Sequence, residues 1–282
     1  MDFLHQDISS RLDEKKIAKT RANDLSGKEW LKNSVSIWSD LSKDNEERKM
    51  NHPAIFPWKL AYKIIETFTD HTRKNILDPF LGSGSTLIAC HKLNKNGIGF
   101  DINKEYISLS KKRIKDISAS SKNNPHIKLI KSTALNIRRY LPDDTIDLCF
   151  TSPPYWDILS QKRTVDGKSK KEYSFSRENI GLVASYEEYL LIMKNIFREI
   201  FKVMKPNSYC IINVMDLRKK NVFYPLHMNI TDALTSIGYI LDDIIIWDRK
   251  QDYNNLRPLG YPYVFRVNKI HEFLLIFKKC QN

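Results

Sequence analysis

Short apolar runs alternate along most of the chain with stretches in which apolar residues recur at helical spacing. Runs near 75–78, 97–101, 127–131, 146–151, 209–215, 240–247 and 272–278 are bounded by Gly, Pro, Asn, Asp or Ser, and they predict buried strands. Residues 58–68 predict a lead-in helix. A longer one is predicted from Ser185 to Met204, where a stripe of tyrosine, leucine, isoleucine and phenylalanine stops at Lys205-Pro206-Asn207. Strands alternating with helices imply an α/β, doubly wound, mainly parallel sheet of seven strands, with ligands at the carboxyl ends of the strands. Before Met50 the chain is strongly charged, and Trp30 and Trp38, eight apart, predict a short amphipathic helix.

Two constellations fall at predicted strand ends. In Thr151-Ser152-Pro153-Pro154-Tyr155-Trp156, successive prolines fix φ and remove two backbone donors, so the loop leaving the strand Ile146–Phe150 presents acceptors. Ser152 Oγ and the Pro153 carbonyl can each accept one N–H of an exocyclic amine, while Tyr155 offers a stacking face to an extruded base. The pattern points to methylation of a nucleobase; a proline turn capping a strand is the alternative. In Asn75–Thr86, a strand meets a glycine turn and the start of a helix. Gly82 and Gly84 let backbone approach a ligand closely, and Ser85 opens the helix directly over it. The third glycine of the dinucleotide fingerprint is missing. A second strand, Gly97-Ile98-Gly99-Phe100, ends in Asp101, about twenty residues beyond the turn, where an acid can hold ribose hydroxyls. Alternatively, Asp101 caps the helix starting near Asn103.

With these residues in view, the chain resembles the S-adenosylmethionine-dependent DNA amino-methyltransferases of restriction-modification systems, from about His52 onward. The resemblance implies the methyltransferase variant of the doubly wound fold, with an antiparallel last strand. It implies cofactor contacts from Asp78, Phe80, Gly82, Gly84 and Ser85, and a ribose contact from Asp101. His52, Pro53 and Ala54, in His-Pro-Ala-Ile-Phe-Pro, would meet the amino-acid end of the cofactor. Ser152, Pro153, Pro154 and Tyr155 would be catalytic. The cofactor motifs precede Ser-Pro-Pro-Tyr, which resembles a circularly permuted arrangement. Where related enzymes often carry an acid near the adenine, this chain has Ser132-Thr133-Ala134. The implied reaction is direct displacement onto the 4-amino group of cytosine in duplex DNA, since Ser-Pro-Pro-Tyr more often accompanies cytosine. The adenine 6-amino group is the first alternative, and RNA methylation or a non-catalytic cofactor- and DNA-binding module are further ones. No cysteine follows a proline, which argues against carbon methylation through a thiolate. Double-stranded DNA is the expected partner, and a cognate restriction endonuclease is a second candidate.

Composition refines this picture. A chain of 282 residues, 41% hydrophobic, can build one large domain. We expect a catalytic domain over 51–282 and a charged N-terminal extension over 1–50 as a candidate DNA-contacting element. A net charge of +13 suits a polyanion. Two inserted loops are candidate target-recognition elements. Residues 157–184 carry Lys162, Arg163, Lys168, Lys170, Lys171 and Arg177. In 249–270, Tyr253, Arg257, Tyr261, Tyr263 and Arg266 interleave with Pro258 and Pro262. Cys90, Cys149, Cys210 and Cys280 form no Cys-x-x-Cys pair and read as reduced core residues. The histidines are scattered and no metal site is expected. Without a leader-like or membrane-length apolar stretch, a cytoplasmic location is expected.

Overall fold

The computed structural model describes residues 21–50, 55–156, 180, 183, 185–253 and 256–280. In chain order the strands are β1 (Ile37–Trp38), β2 (Asn75–Asp78), β3 (Asn96–Asp101), β4 (Ile127–Lys131), β5 (Ile146–Thr151), β6 (Met204–Val214), β7 (Leu217–Lys219), β8 (Val222–Tyr224), β9 (Tyr239–Asp248) and β10 (His271–Lys279). The helices are α1 (Gly27–Asn33), α2 (Asn45–Lys49), α3 (Trp58–Phe68), α4 (Ser85–Lys92), α5 (Lys104–Ser118), α6 (Tyr186–Val203) and α7 (Leu226–Thr235). All seven strands expected from the apolar runs are present. With β1 they form one eight-stranded sheet in the order β1-β9-β10-β6-β5-β2-β3-β4, in which β10 runs antiparallel to β6 and β9 and the other pairs are parallel.

Both faces of the sheet are buried, because alternate residues of each central strand point to opposite sides. Leu77, Cys149, Ile212 and Leu275 join the α6 stripe of Tyr189, Met193, Phe197 and Ile200 on one face, with Leu226, Ile230 and Leu234 of α7. Their neighbours Ile76, Phe150, Ile211 and Ile276 pack on the other face with Leu60, Ile64 and Ile65 of α3. Two covered faces leave the strand ends as the place where polar groups can gather.

The structure differs from the sequence reading in two places. Trp30 and Trp38 do not share a helix. A Ser26–Glu29 capping box starts α1, which ends at Asn33, and Val35-Ser36-Ile37-Trp38 then extends along β9. Trp38 is 1% exposed, donates its indole N–H to the Asn33 carbonyl at 3.1 Å and lies under Lys63, whereas Trp30 is 47% exposed. Burial of a large indole beside Trp247 decides the strand conformation and adds an eighth strand at the sheet edge. The second difference is at Lys205-Pro206-Asn207, which does not separate α6 from its strand. β6 begins at Met204, directly after the helix, with Asn207 at φ 60 and an irregular register opposite Ile146–Leu148.

Candidate active site

The carboxyl edge of the sheet brings together Asp78 at the end of β2, Asp101 at the end of β3, Thr151 and Ser152 at the end of β5 and Asn213 near the end of β6. Because β10 is antiparallel, its first residues His271 and Glu272 arrive at the same edge, beside Arg249 just after β9.

The glycine turn is held from beneath. Asp78 is fully buried; Oδ1 accepts from the Phe80 N–H at 3.1 Å and the Thr151 hydroxyl at 2.7 Å, and Oδ2 from the Thr86 hydroxyl at 2.6 Å. Burial pushes its carboxyl up to about 6, against those three donors. Gly82 (φ 50) and Gly84 (φ 83) carry the chain through left-handed conformations into α4. The Gly82 N–H donates to Asp101 Oδ2 at 2.9 Å, and its carbonyl accepts from the Ser110 hydroxyl of α5 at 3.0 Å. Arg113 of the same helix donates to the Ser83 carbonyl at 2.7 Å, and the buried Glu47 of α2 pairs with Arg113 at 3.3 Å. Part of the charged N-terminal segment therefore braces the turn from behind.

Asp101 does not cap α5. That cap is Asn103, which accepts from the Glu105 N–H at 2.8 Å, while Asp101 Oδ1 accepts from the Asn103 N–H at 2.8 Å. Burial, with a smaller push from Asp78, raises the Asp101 carboxyl to about 6. Each carboxylate oxygen keeps a lone pair for a further donor. Beyond β4, the Ser132 N–H donates to the Asp101 carbonyl at 3.1 Å, and Thr133 caps a short 3₁₀ turn over 134–139.

The Ser152–Tyr155 loop is anchored by its far end. Trp156, at φ 44, is buried against Tyr186 and Tyr224 and donates its indole N–H to the Val183 carbonyl at 2.9 Å. The Pro154 carbonyl accepts from the Tyr189 hydroxyl at 2.8 Å and the Trp156 N–H at 3.0 Å. Among the described residues nothing donates to the Pro153 carbonyl. Ser152 Oγ lies 3.1 Å from the Tyr155 hydroxyl, which donates to Glu272 Oε2 at 2.9 Å. Asn213 Nδ2 reaches Ser152 Oγ at 3.4 Å and the Tyr155 oxygen at 3.3 Å, and it bonds Glu272 closely. Arg249 holds the other oxygen of Glu272 and also Asp252, at 3.3 Å. Burial and the Glu272 charge hold the Tyr155 phenol well above its usual range.

Sequence reasoning did not single out Asn213 or Glu272, and it noted Arg249 only as the start of a loop. The available signal was a lone polar residue in each of two apolar strands, Cys210-Ile211-Ile212-Asn213-Val214 and Glu272-Phe273-Leu274-Leu275. His52, Pro53 and Ala54 lie outside the described residues; Phe56, which follows, packs edge-on to Phe150 at 5.3 Å. Of the loop at 157–184, only Ile180 and Val183 are described. In the 249–270 loop, Tyr263 and Phe265 are 91% and 93% exposed, and Arg266 donates to Asn221 Oδ1 at 2.9 Å, tying the loop to the β7–β8 hairpin. Among the described residues there is no metal-ligating cluster, and no helix is long and apolar enough to cross a membrane. Cys90, Cys149, Cys210 and Cys280 are free, the first three buried.

A doubly wound sheet with an antiparallel strand inserted beside β6, a glycine turn after its first central strand and an acid ending the next defines a Rossmann-like methyltransferase. The family follows from the match of a DNA methylase model (N6_N4_Mtase) to residues 5–112 and 146–282, and the chain belongs to it. Among curated proteins, it is 39% identical over 84 residues to the type II methyltransferase M.HpaI of Haemophilus parainfluenzae, covering 29% of this chain and 26% of that one. It is 32% identical over 151 residues to M.MthZI of Methanothermobacter thermautotrophicus, covering 49% and 41%. The chain thus spans less than half the length of these relatives. A precorrin-6y C5,15-methyltransferase structure from Geobacter metallireducens shares the fold, with a TM-score of 0.50 and 13% identity over 86% of this chain and all of that one. S-adenosylmethionine is the cofactor. The residues present fit it: the Gly82 backbone of the turn lies beside Asp101, a half-buried acid with acceptor capacity to spare.

Proposed function

We propose that the chain methylates the exocyclic 4-amino group of cytosine in duplex DNA, on a base extruded into the site. The observation that carries methyl transfer at this site is the 2.7 Å bond from Thr151 to Asp78, which fixes the Ser152–Tyr155 loop directly to the end of the strand that leads into the glycine turn; the choice of cytosine rests on the Ser-Pro-Pro-Tyr resemblance. Donor and acceptor subsites thereby share one support. The bound cofactor supplies a methyl group on a sulfonium, an electrophile that needs only an aligned nitrogen. Ser152 Oγ and the Pro153 carbonyl accept the two amine N–H bonds, localising the nitrogen lone pair, and Tyr155 stacks on the base. Pro154 keeps the loop rigid through its occupied carbonyl. No covalent intermediate with the protein is needed.

Asp101 takes the ribose, while Gly82, Gly84, Phe80 and Ser85 form the turn around the cofactor. Asp78 acts by positioning that turn. By resemblance, His52, Pro53 and Ala54 meet the amino-acid end. The basic surface binds phosphates, and the exposed Tyr263 and Phe265, with Arg257 and Arg266, make the 249–270 loop the principal DNA-contacting element. The basic residues within 157–184 and the charged N-terminal extension are further candidates for phosphate contact. DNA as substrate fits a cytoplasmic enzyme, and a cognate endonuclease is the candidate functional partner. The adenine 6-amino group is the second reading, because the matched family spans both amines.

Incubation with S-adenosylmethionine and mixed-sequence duplex DNA, followed by nucleoside mass spectrometry, tests the reading. 4-Methylcytosine is the expected product. 6-Methyladenine would keep the mechanism and overturn the base, and an unmodified digest from cofactor-binding protein would reject the activity.

A pH dependence follows from Asp101. Its carboxyl, raised to about 6, is ionised at pH 7 and accepts ribose hydroxyls; as the pH falls through about 6 it is protonated and one acceptor lone pair is lost. Cofactor affinity should therefore fall by about tenfold between pH 7 and pH 5. Asp101→Asn should bind weakly at both values and leave only the share of the pH dependence that Asp78, also raised to about 6, contributes, as isothermal titration at each pH will show.

A further inference from the structure

We propose that Glu272, acting through Tyr155, fixes Ser152 as a hydrogen-bond acceptor and so makes the site select an amino base over its oxo counterpart. This inference rests on the proposed amine methylation and names a positioning residue for it.

The argument is one of proton direction along a short chain of groups. A carboxylate only accepts. The Tyr155 hydroxyl has one proton and three acceptors in reach: Ser152 Oγ at 3.1 Å, the Asn213 backbone carbonyl at 3.4 Å and, nearer than either, Glu272 Oε2 at 2.9 Å. The nearest is also charged, so the proton lies on the Glu272 side. The Tyr155 oxygen is then an acceptor towards Ser152, 3.1 Å away, and the Ser152 proton is directed into that bond. Asn213 Nδ2, whose two protons serve Glu272 and the Ser152 and Tyr155 oxygens, adds donors here and no acceptor that would draw the Tyr155 proton away from Glu272. Ser152 Oγ is left with a lone pair and no proton to offer. An amino group finds an acceptor there, whereas a carbonyl would meet lone pairs.

Arg249 makes the direction depend on charge rather than shape. In Glu272→Gln, the side-chain oxygen stays with the guanidinium and the new NH₂ faces Tyr155. The chain then runs backwards: Gln N–H to Tyr155, Tyr155 to Ser152, and the Ser152 proton outward. Asn213 can accommodate this, because its Oδ1 is the one buried side-chain polar atom without a partner among the described residues, and a turn of the amide would present it to the new donor. Glu272 is 4% exposed and Asn213 1%, which shields the charged end of the chain from water, while Ser152 and Tyr155 are half-buried at the end that meets the base.

The test begins by mapping the base that the wild-type protein methylates. Two short duplexes are then made, one with that base and one with its oxo counterpart (uracil for cytosine, hypoxanthine for adenine), each opposite an abasic site so that extrusion costs the same. Binding is measured by fluorescence anisotropy with S-adenosylhomocysteine saturating. The wild type should prefer the amino duplex by about tenfold or more, the usual penalty for a mispaired buried polar group. Glu272→Gln should bring that preference below about twofold or reverse it, and lower kcat/KM on the amino base accordingly. Loss of binding to both duplexes equally, or an unchanged amino preference, would overturn the proposal. Tyr155→Phe keeps the ring and the Glu272–Arg249 pair while cutting the chain, and it should lose the preference in the same way. That variant decides the matter if Glu272→Gln does not fold. A wild type that methylates no DNA base overturns the underlying activity itself.

Discussion

Replacing Ser152 by alanine is expected to slow methyl transfer by about a hundredfold, the cost typical of removing one preorganised hydrogen bond from a reacting centre. Affinity for S-adenosylmethionine should change by less than about twofold, because nothing that shapes the cofactor turn passes through the serine hydroxyl. The turn is tied to the catalytic loop by Thr151 and Asp78, and its own bonds run to Asp101, Ser110 and Arg113. Nor should the loop collapse: Tyr155 keeps its bond to Glu272, and Pro154 keeps Tyr189. What disappears is one of two acceptors for the amine, leaving the Pro153 carbonyl to orient it alone. Rapid-quench single turnovers with labelled methyl donor, set beside calorimetric cofactor binding, separate the two quantities. A parallel loss of rate and cofactor affinity would mean that Ser152 supports the site as a whole and has no particular task at the amine.

The central strands β2, β3, β5, β6 and β10 were legible because they are buried on both faces, so burial alone writes them as apolar runs; β4 and β9 are partly exposed, yet keep enough isoleucine and leucine to read as runs. Asp101 was legible too, since the distance from glycine turn to acid is set by one helix and one strand. The ends of the polar network were not. Asn213 and Glu272 are 59 residues apart and meet only because β10 inserts antiparallel beside β6. Tyr155 and Glu272 are separated by 117 residues. A single polar residue in an apolar strand marks something, yet its partner depends on which strands become neighbours. The same holds for Glu47 and Arg113, 66 apart, whose pairing makes a charged N-terminal segment a brace for the cofactor turn. Two-residue β1 left no run to read, and Trp38 took its conformation from tertiary burial.

Gly84→Ala should be the most damaging single change to the cofactor half. At φ 83, an alanine pays about 1 kcal/mol for the left-handed conformation. Its Cβ would also fall 2.7 Å from Ser110 Oγ, 2.8 Å from Ser110 Cβ and 3.3 Å from Ser110 Cα, so rotation of the serine side chain gives no relief. Either α5 or the turn must shift. Both routes break the Ser110 bond to the Gly82 carbonyl and pull the Gly82 N–H from Asp101, the two contacts that set the cofactor's seat. Urea denaturation should show a loss of about 2–4 kcal/mol, the range of overpacking added to backbone strain. Cofactor affinity should fall by about a hundredfold, roughly 3 kcal/mol of binding. The double variant Gly84→Ala with Ser110→Gly separates the two causes, since it removes the clashing side-chain atoms and leaves φ unchanged. Recovery of about 1–2 kcal/mol beyond additivity is expected, the coupling typical of residues in contact. Strict additivity would place the whole cost in the backbone of the turn and remove α5 from the account.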